Sequence, residues 1–335
     1  MNLYLFGWPS LYGGADTKAA HLLQLLADHC HITVIPNDAC WLADSYWVPM
    51  LAQWGVRCTM LESLPQRLDG VGLALSNDRF FAGRICSAAR HRGLKVVWSS
   101  EMMWHHPEEV DFINAGEVDR LLYVSDIQKQ ALNYESFCRV PTYMTGNYVC
   151  PDEFPFVERP HSERITIGRL SRDDMDKYPE DFPVFYEALQ LANVQFRVMA
   201  WSPELAHKYR WHRFDERWTL LPPLAESPVK FLQQLDLFVY PLGHTFTESW
   251  GRSTVEAMLT GAIPLVPDGH NFRSLIVHGE TGFICSDFRD YQSRAIELTY
   301  DPVLRRQMSR ACREHAEGLN HADRHRAVWL EALDV

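Results

Sequence analysis

The chain has no C-x-x-C pair, no apolar run long enough to cross a bilayer, no G-x-G-x-x-G turn and no excess of basic residues. Each absence closes a class of function. Its eight cysteines, at positions 30, 40, 58, 86, 138, 150, 285 and 312, lack the spacing of a zinc site or of a disulfide framework. They fit a reduced, cytoplasmic compartment and a metal-free site. The N-terminal stretch MNLYLFGWPSLYGG is apolar, but no Lys or Arg precedes Lys18 and no small-residue cleavage site follows. It therefore reads as a buried first strand rather than a secretory signal, and no later segment reads as transmembrane. Net charge is −11, divided as −4 over residues 1–150 and −7 over the rest. Neither half offers a strong basic surface for nucleic acid or anionic lipid. Without the glycine fingerprint, nicotinamide chemistry is disfavoured.

What remains is an ordinary globular composition, 47% hydrophobic and 22% charged over 335 residues, a length suited to two α/β domains. Short apolar runs (LYLFGW, HITVIP, VGLALS, LKVVWSS, RLLYVS) alternate with helical patterns near 16–29, 43–54, 80–92 and 126–134. The alternation predicts a parallel sheet covered on both faces. RITIGRL, QFRVMAW, WTLLPPL, LDLFVYPL and IPLVPD repeat the habit, and a series of helices follows from about 290. Between them, 141–163 carries four prolines and no periodicity. The expected fold is α/β, with two Rossmann-like doubly wound domains facing a cleft. Residues 1–148 form the first, 149–163 a linker, 164–315 the second, and 316–335 a C-terminal helix packing back on the first. In doubly wound sheets ligands gather at the carboxyl ends of the strands.

The richest stretch is 236–284, where a strand ending VYPL runs into a polar loop that opens a helix. Glu248 lies in the loop and Glu256 in the helix, with Gly251 between them. Two carboxylates and loop amides suit the hydroxyls and diphosphate of a sugar nucleotide. Read as bare spacing, they equally suit a helix cap and a solvated first-turn acid.

The wider pattern resembles the donor domain of family 4 glycosyltransferases of the GT-B fold, the retaining E-x7-E type. E-x7-E follows a strand ending in Pro and leads into E-A-M-x-x-G-x-I-P and H-G-E-T-G-F. ITIGRLSRDD, DRLLYVSD and FGWPSLYGGADTKAAHLL resemble the family's donor-domain opening, its late first-domain strand and its Gly-rich first turn, in order along nearly the whole chain. The resemblance implies a transferase acting on a UDP- or GDP-sugar without metal or other cofactor. Glu256 would hold the ribose; Glu248 with the amides of Ser249, Trp250 and Gly251 would meet the donor sugar; Arg169 would neutralise the diphosphate. Gly13 and Gly14 would bring backbone amides to a phosphate or an acceptor.

Several positions depart from the family pattern. Met175 stands where a Lys is usual, leaving Lys177 or Arg172 to partner Arg169. Arg252 replaces an aliphatic residue and is open to two readings, a contact to an acidic donor sugar or a surface charge. The His usually placed after the fourth strand is absent, and Glu101 or His105 falls nearest to it. Asp173, Asp174 and Asp176 read as a solvated loop. Trp8, Trp104 and Trp250 fall in loops expected to face the cleft, whereas Trp47, Trp54 and Trp98 fall in core patterns.

The implied reaction gives an α-linked product on an acceptor that is a small molecule, a glycan or a lipid-linked group, in a monomer or homodimer. A sugar-nucleotide epimerase of the same architecture and a non-catalytic sugar-nucleotide-binding protein are the rival readings.

Overall fold

A computed structural model describes residues 1–160, 162 and 164–335. Positions 161 and 163, at the end of the expected linker, lie outside the described residues. The chain forms two compact units, one of residues 1–148 with 322–335 and the other of 149–321.

The first unit holds a parallel sheet of β1 (Asn2–Phe6), β2 (His31–Ile35), β3 (Arg57–Cys58), β4 (Val71–Leu75), β5 (Lys95–Ser99), β6 (Arg120–Tyr123) and β7 (Thr142–Met144). Their order is β3-β2-β1-β4-β5-β6-β7. The direction of winding reverses between β1 and β4, which opens a crevice at the carboxyl ends there. The near-continuous apolar strands reflect burial on both faces; all five residues of β4 are buried. Phe80 and Phe81 pack on Trp98 at ring-centroid distances of 6.2 and 4.5 Å, and Tyr134 stacks on Tyr123. Burial of each such ring stabilises the unit by about 1.5–3 kcal/mol.

Residues 322–335 complete this unit. Trp329 on the helix Ala322–Ala332 is fully buried, and Arg120 Nη1 donates to the carbonyls of Glu331 and Ala332 at 2.8 and 3.0 Å.

The second unit repeats the architecture with β8 (Ile165–Leu170), β9 (Val194–Met199), β10 (Trp218–Leu221), β11 (Leu237–Val239), β12 (Ile263–Pro267) and β13 (Phe283–Cys285). The order β10-β9-β8-β11-β12-β13 is again parallel throughout, with its switch point between β8 and β11.

Some local expectations needed correction. Thr142–Met144, inside the aperiodic stretch, is an edge strand bonded to β6. The helical pattern over 80–92 is split into Asp78–Ala82 and Ile85–His91 around Gly83 and Arg84, the latter left-handed at φ +52°. The helix expected over 180–192 is only Phe182–Glu187, stopped before Gln190 at φ +56°.

Candidate active site

The carboxyl ends of β8 and β11 hold the first cluster. The loop after β8 turns inward at Lys177, and the loop after β11 carries Glu248. Lys177 Nζ lies 3.3 Å from Glu248 Oε2, and the same oxygen accepts the Tyr240 hydroxyl at 3.2 Å. The Glu248 amide donates to His270 Nδ1 at 3.2 Å. Burial opposes the Lys177 charge, but Glu248 and Tyr240 outweigh it, so its pKa is raised. Burial holds the His270 imidazole below its usual range, which suits a neutral ring whose Nδ1 accepts.

The second cluster sits on the helix Arg252–Thr260. Its cap, Gly251, is left-handed at φ +98°, and a Cβ there would come within 2.8 Å of the Phe272 ring, so only glycine meets both demands. The amides of Trp250 and Gly251 make no hydrogen bond among the described residues and lie at the positive end of this helix. Arg252 Nε lies 2.9 Å from Oε1 of Glu256, one helical turn further on. Burial raises the Glu256 pKa, Arg252 opposes the rise and Glu153 adds to it. Glu153 is raised by burial and pulled down by the same guanidinium. One arginine therefore serves two carboxylates. Arg252 is therefore not a surface charge but a largely buried ion-pair partner of Glu256.

Arg169 is placed differently from the role the resemblance implies. It is fully buried: Nη1 donates to Pro241 O at 2.8 Å, Nη2 to Lys177 O at 3.3 Å, and its guanidinium carbon lies 3.9 and 4.5 Å from the centroids of the Tyr178 and Tyr240 rings. A guanidinium enclosed in this way ties the two loops together and presents no face to a diphosphate. Arg172 is half-buried, pairs with Asp174 at 3.0 Å and lies near enough to Lys177 to oppose the rise of its pKa. Of the two candidates to supply the missing lysine, Lys177 is the one beside Glu248. Ser249 is half-buried, and Trp250 is buried with its carbonyl accepting Asn271 Nδ2. No group of three or more His, Cys, Asp or Glu suited to a metal occurs among the described residues.

In the first unit, Glu101 follows β5 and is held from several sides. Its Oε1 lies 2.6 Å from Lys18 Nζ and accepts Ser99 Oγ at 3.0 Å, while its amide donates to Ser76 Oγ at 2.6 Å. His105 lies elsewhere, its Nδ1 3.5 Å from Glu109 and its ring against Tyr134 and Phe137. Gly13 caps the helix Gly14–Leu26 at φ +98°, whereas a Cβ on Gly14 would meet nothing within 4 Å. Trp8 is buried and bonds Asp44, and Trp104 is exposed.

Tyr240, His270, Glu153 and Lys18 escaped the sequence reading. Lys18 could have been found as the one cation in the apolar stripe of its helix, and His270 as a polar residue just beyond the carboxyl end of β12.

The chain has the fold of GT-B glycosyltransferases. HepE from Anabaena, solved with UDP and glucose, aligns over 99% of both chains with a TM-score of 0.75 at 14% identity. A Rickettsia africae glycosyltransferase aligns over 98% of this chain and 97% of its own, with a TM-score of 0.75 at 12% identity. Sucrose-phosphate synthase from Thermosynechococcus elongatus aligns over 99% and 98%, with a TM-score of 0.69 at 13% identity. The family described as Glycosyl transferases group 1 matches residues 216–315. This GT-B segment contains Glu248, Arg252 and Glu256. Among curated proteins, none matches in sequence.

Proposed function

We propose that the protein is a retaining glycosyltransferase that takes a hexose or pentose from a UDP- or GDP-sugar and forms an α-linked product without a metal. The observation that carries this reading is the pair of ion pairs, Lys177 with Glu248 and Arg252 with Glu256, in the unit whose residues 216–315 the glycosyltransferase family matches. Similarity of fold to a protein solved with UDP-glucose supports the choice of ligand.

In this reading Glu256 accepts the ribose hydroxyls. Glu248 accepts hydroxyls of the donor sugar, and the Trp250 and Gly251 amides donate to its hydroxyl oxygens. Lys177 exchanges part of its contact with Glu248 for the diphosphate, stabilising charge that grows on the leaving oxygen. The anomeric carbon–oxygen bond to the diphosphate breaks, the acceptor oxygen bonds to that carbon on the same face, and its proton passes to the departing phosphate oxygen. Of the two first-unit candidates, Glu101 is the better suited to act on substrate. It is fixed just beyond the carboxyl end of β5 by Lys18, Ser99 and Ser76, whereas the His105 ring packs against Tyr134 and Phe137.

Thermal stabilisation by a panel of nucleotide sugars, followed by turnover of the best donor, tests the proposal. A donor present far above its dissociation constant adds a few kcal/mol. Clean epimer formation from the donor alone, or binding without transfer to any acceptor class, would overturn it.

A further inference from the structure

A small recess, open to solvent, lies at the amino edge of the second sheet, the edge opposite to Lys177 and Glu248. Arg159, Asp236, Arg305, Arg306, Ser309 and Arg310 line it. Asp236 directly precedes β11. Four arginines and two acids, Asp236 and Glu158, are among the residues that line it, in a chain whose net charge is −11.

The acids of the recess are already engaged. Glu158 pairs with Arg310 at 2.5 Å, and Asp236 Oδ2 accepts the Thr166 amide at 2.8 Å; burial pushes the Asp236 carboxyl pKa up, opposed by that amide and by the charges of Arg159 and Arg305. The cations are less completely matched. Arg159 reaches the carbonyls of Thr260 and Leu232, yet its Nε is buried and makes no hydrogen bond among the described residues. Burial lowers its pKa to about 10, although Asp236 works against that shift. Arg305 Nη1 donates to the carbonyls of Leu298 and Thr299. Arg306 is exposed and makes no ion pair among the described residues. The balance favours an anion, and planar guanidinium forks favour oxyanions.

We propose that this recess binds a compact oxyanion, inorganic phosphate or a phosphomonoester, with Arg306 and Arg310 at its mouth and Arg159 and Arg305 behind them. The proposal stands apart from the glycosyltransferase reading, since it uses the other edge of the sheet.

Calorimetric titration of the full chain with inorganic phosphate tests it, using wild type, Arg306→Glu, Arg289→Glu and Lys177→Ala. Arg306 and Arg289 are both exposed, so their variants should keep the wild-type circular dichroism. Saturable binding at millimolar phosphate is expected. Arg306→Glu should weaken it by roughly tenfold or more, while Arg289→Glu, with the same charge change outside the recess, and Lys177→Ala should leave it within about twofold. Absence of saturable binding, equal loss in both arginine variants, or loss in Lys177→Ala alone would overturn the assignment. The last result would move the phosphate to the other edge of the sheet and leave the glycosyltransferase reading intact. Glucose 1-phosphate in the same titration identifies the source, since tighter binding than inorganic phosphate marks a phosphomonoester.

Discussion

Lys177 and Glu248 meet across 3.3 Å with their side chains 10% and 12% exposed, and so join the loop after β8 to the loop after β11. Removing one partner strands a buried charge, while removing both does not. K177M should lower stability by about 2 kcal/mol, and K177M/E248Q should recover much of that loss in urea unfolding. Activity should behave differently: both the single and the double variant should lose about 100-fold in kcat/KM, because the lysine's charge on the leaving oxygen is not restored. Recovery of activity in the double variant would contradict the proposed role.

Arg252 should govern the pH at which the donor is held. A carboxylate accepts ribose hydroxyls only when ionised, so donor binding through Glu256 fades as pH falls through its raised pKa. Arg252 restrains that rise. In R252M the fade should move to higher pH, with donor KM at neutral pH up by about tenfold and kcat changed little. A pH profile of kcat/KM for the donor reads this directly, and an unmoved acid limb would count against the pairing.

Arg169 should act as a prop. R169K cannot reproduce the fork that reaches both Pro241 O and Lys177 O, and it is expected to lower stability by about 2–4 kcal/mol in chemical denaturation. Direct contact with the diphosphate predicts the reverse pattern, an unchanged midpoint with a large rise in donor KM.

His106 and His270 share one direction. Burial lowers both from 6.5, partly opposed by nearby acids. The unfolded chain therefore takes up protons first as pH falls below 6.5, and stability drops until the lowered folded values are passed. The raised carboxyls of Glu153 and Glu256 have the opposite sign, because the folded chain binds their protons first. Comparison with H106N/H270N isolates the histidine contribution. Between about pH 7 and about pH 5.5 the double variant should lose less stability than wild type, by up to about 1.4 kcal/mol per histidine and pH unit. Parallel melting curves across that window would refute it.

Strand and helix alternation made the fold class legible, because β4 and β12 are apolar runs bounded by turn residues. Short edge elements were not legible. β3 has two residues and β7 three, too few for a period, and their strand state comes from pairing with β2 and β6. At the site, motif position located Glu248 and Glu256 but could not give direction. Whether Arg169 faces ligand or core depends on Tyr178 and Tyr240 closing over it, and these arrive from separate loops. Arg252 was ambiguous for a similar reason: its neighbour Glu256 is one helical turn away, but Glu153, which shares it, is far off in sequence.

The helix Ala322–Ala332 gives the first unit an order of assembly. A ribosome releases residues 1–148 long before it makes Trp329, so this unit emerges lacking a fully buried side chain and the carbonyls that Arg120 binds. The second unit, 149–321, is continuous in the chain and is made whole before those residues appear. Synthesis therefore delivers the later unit complete first, and the earlier one must hold an unfilled apolar seam until the helix that carries Trp329 emerges and closes it.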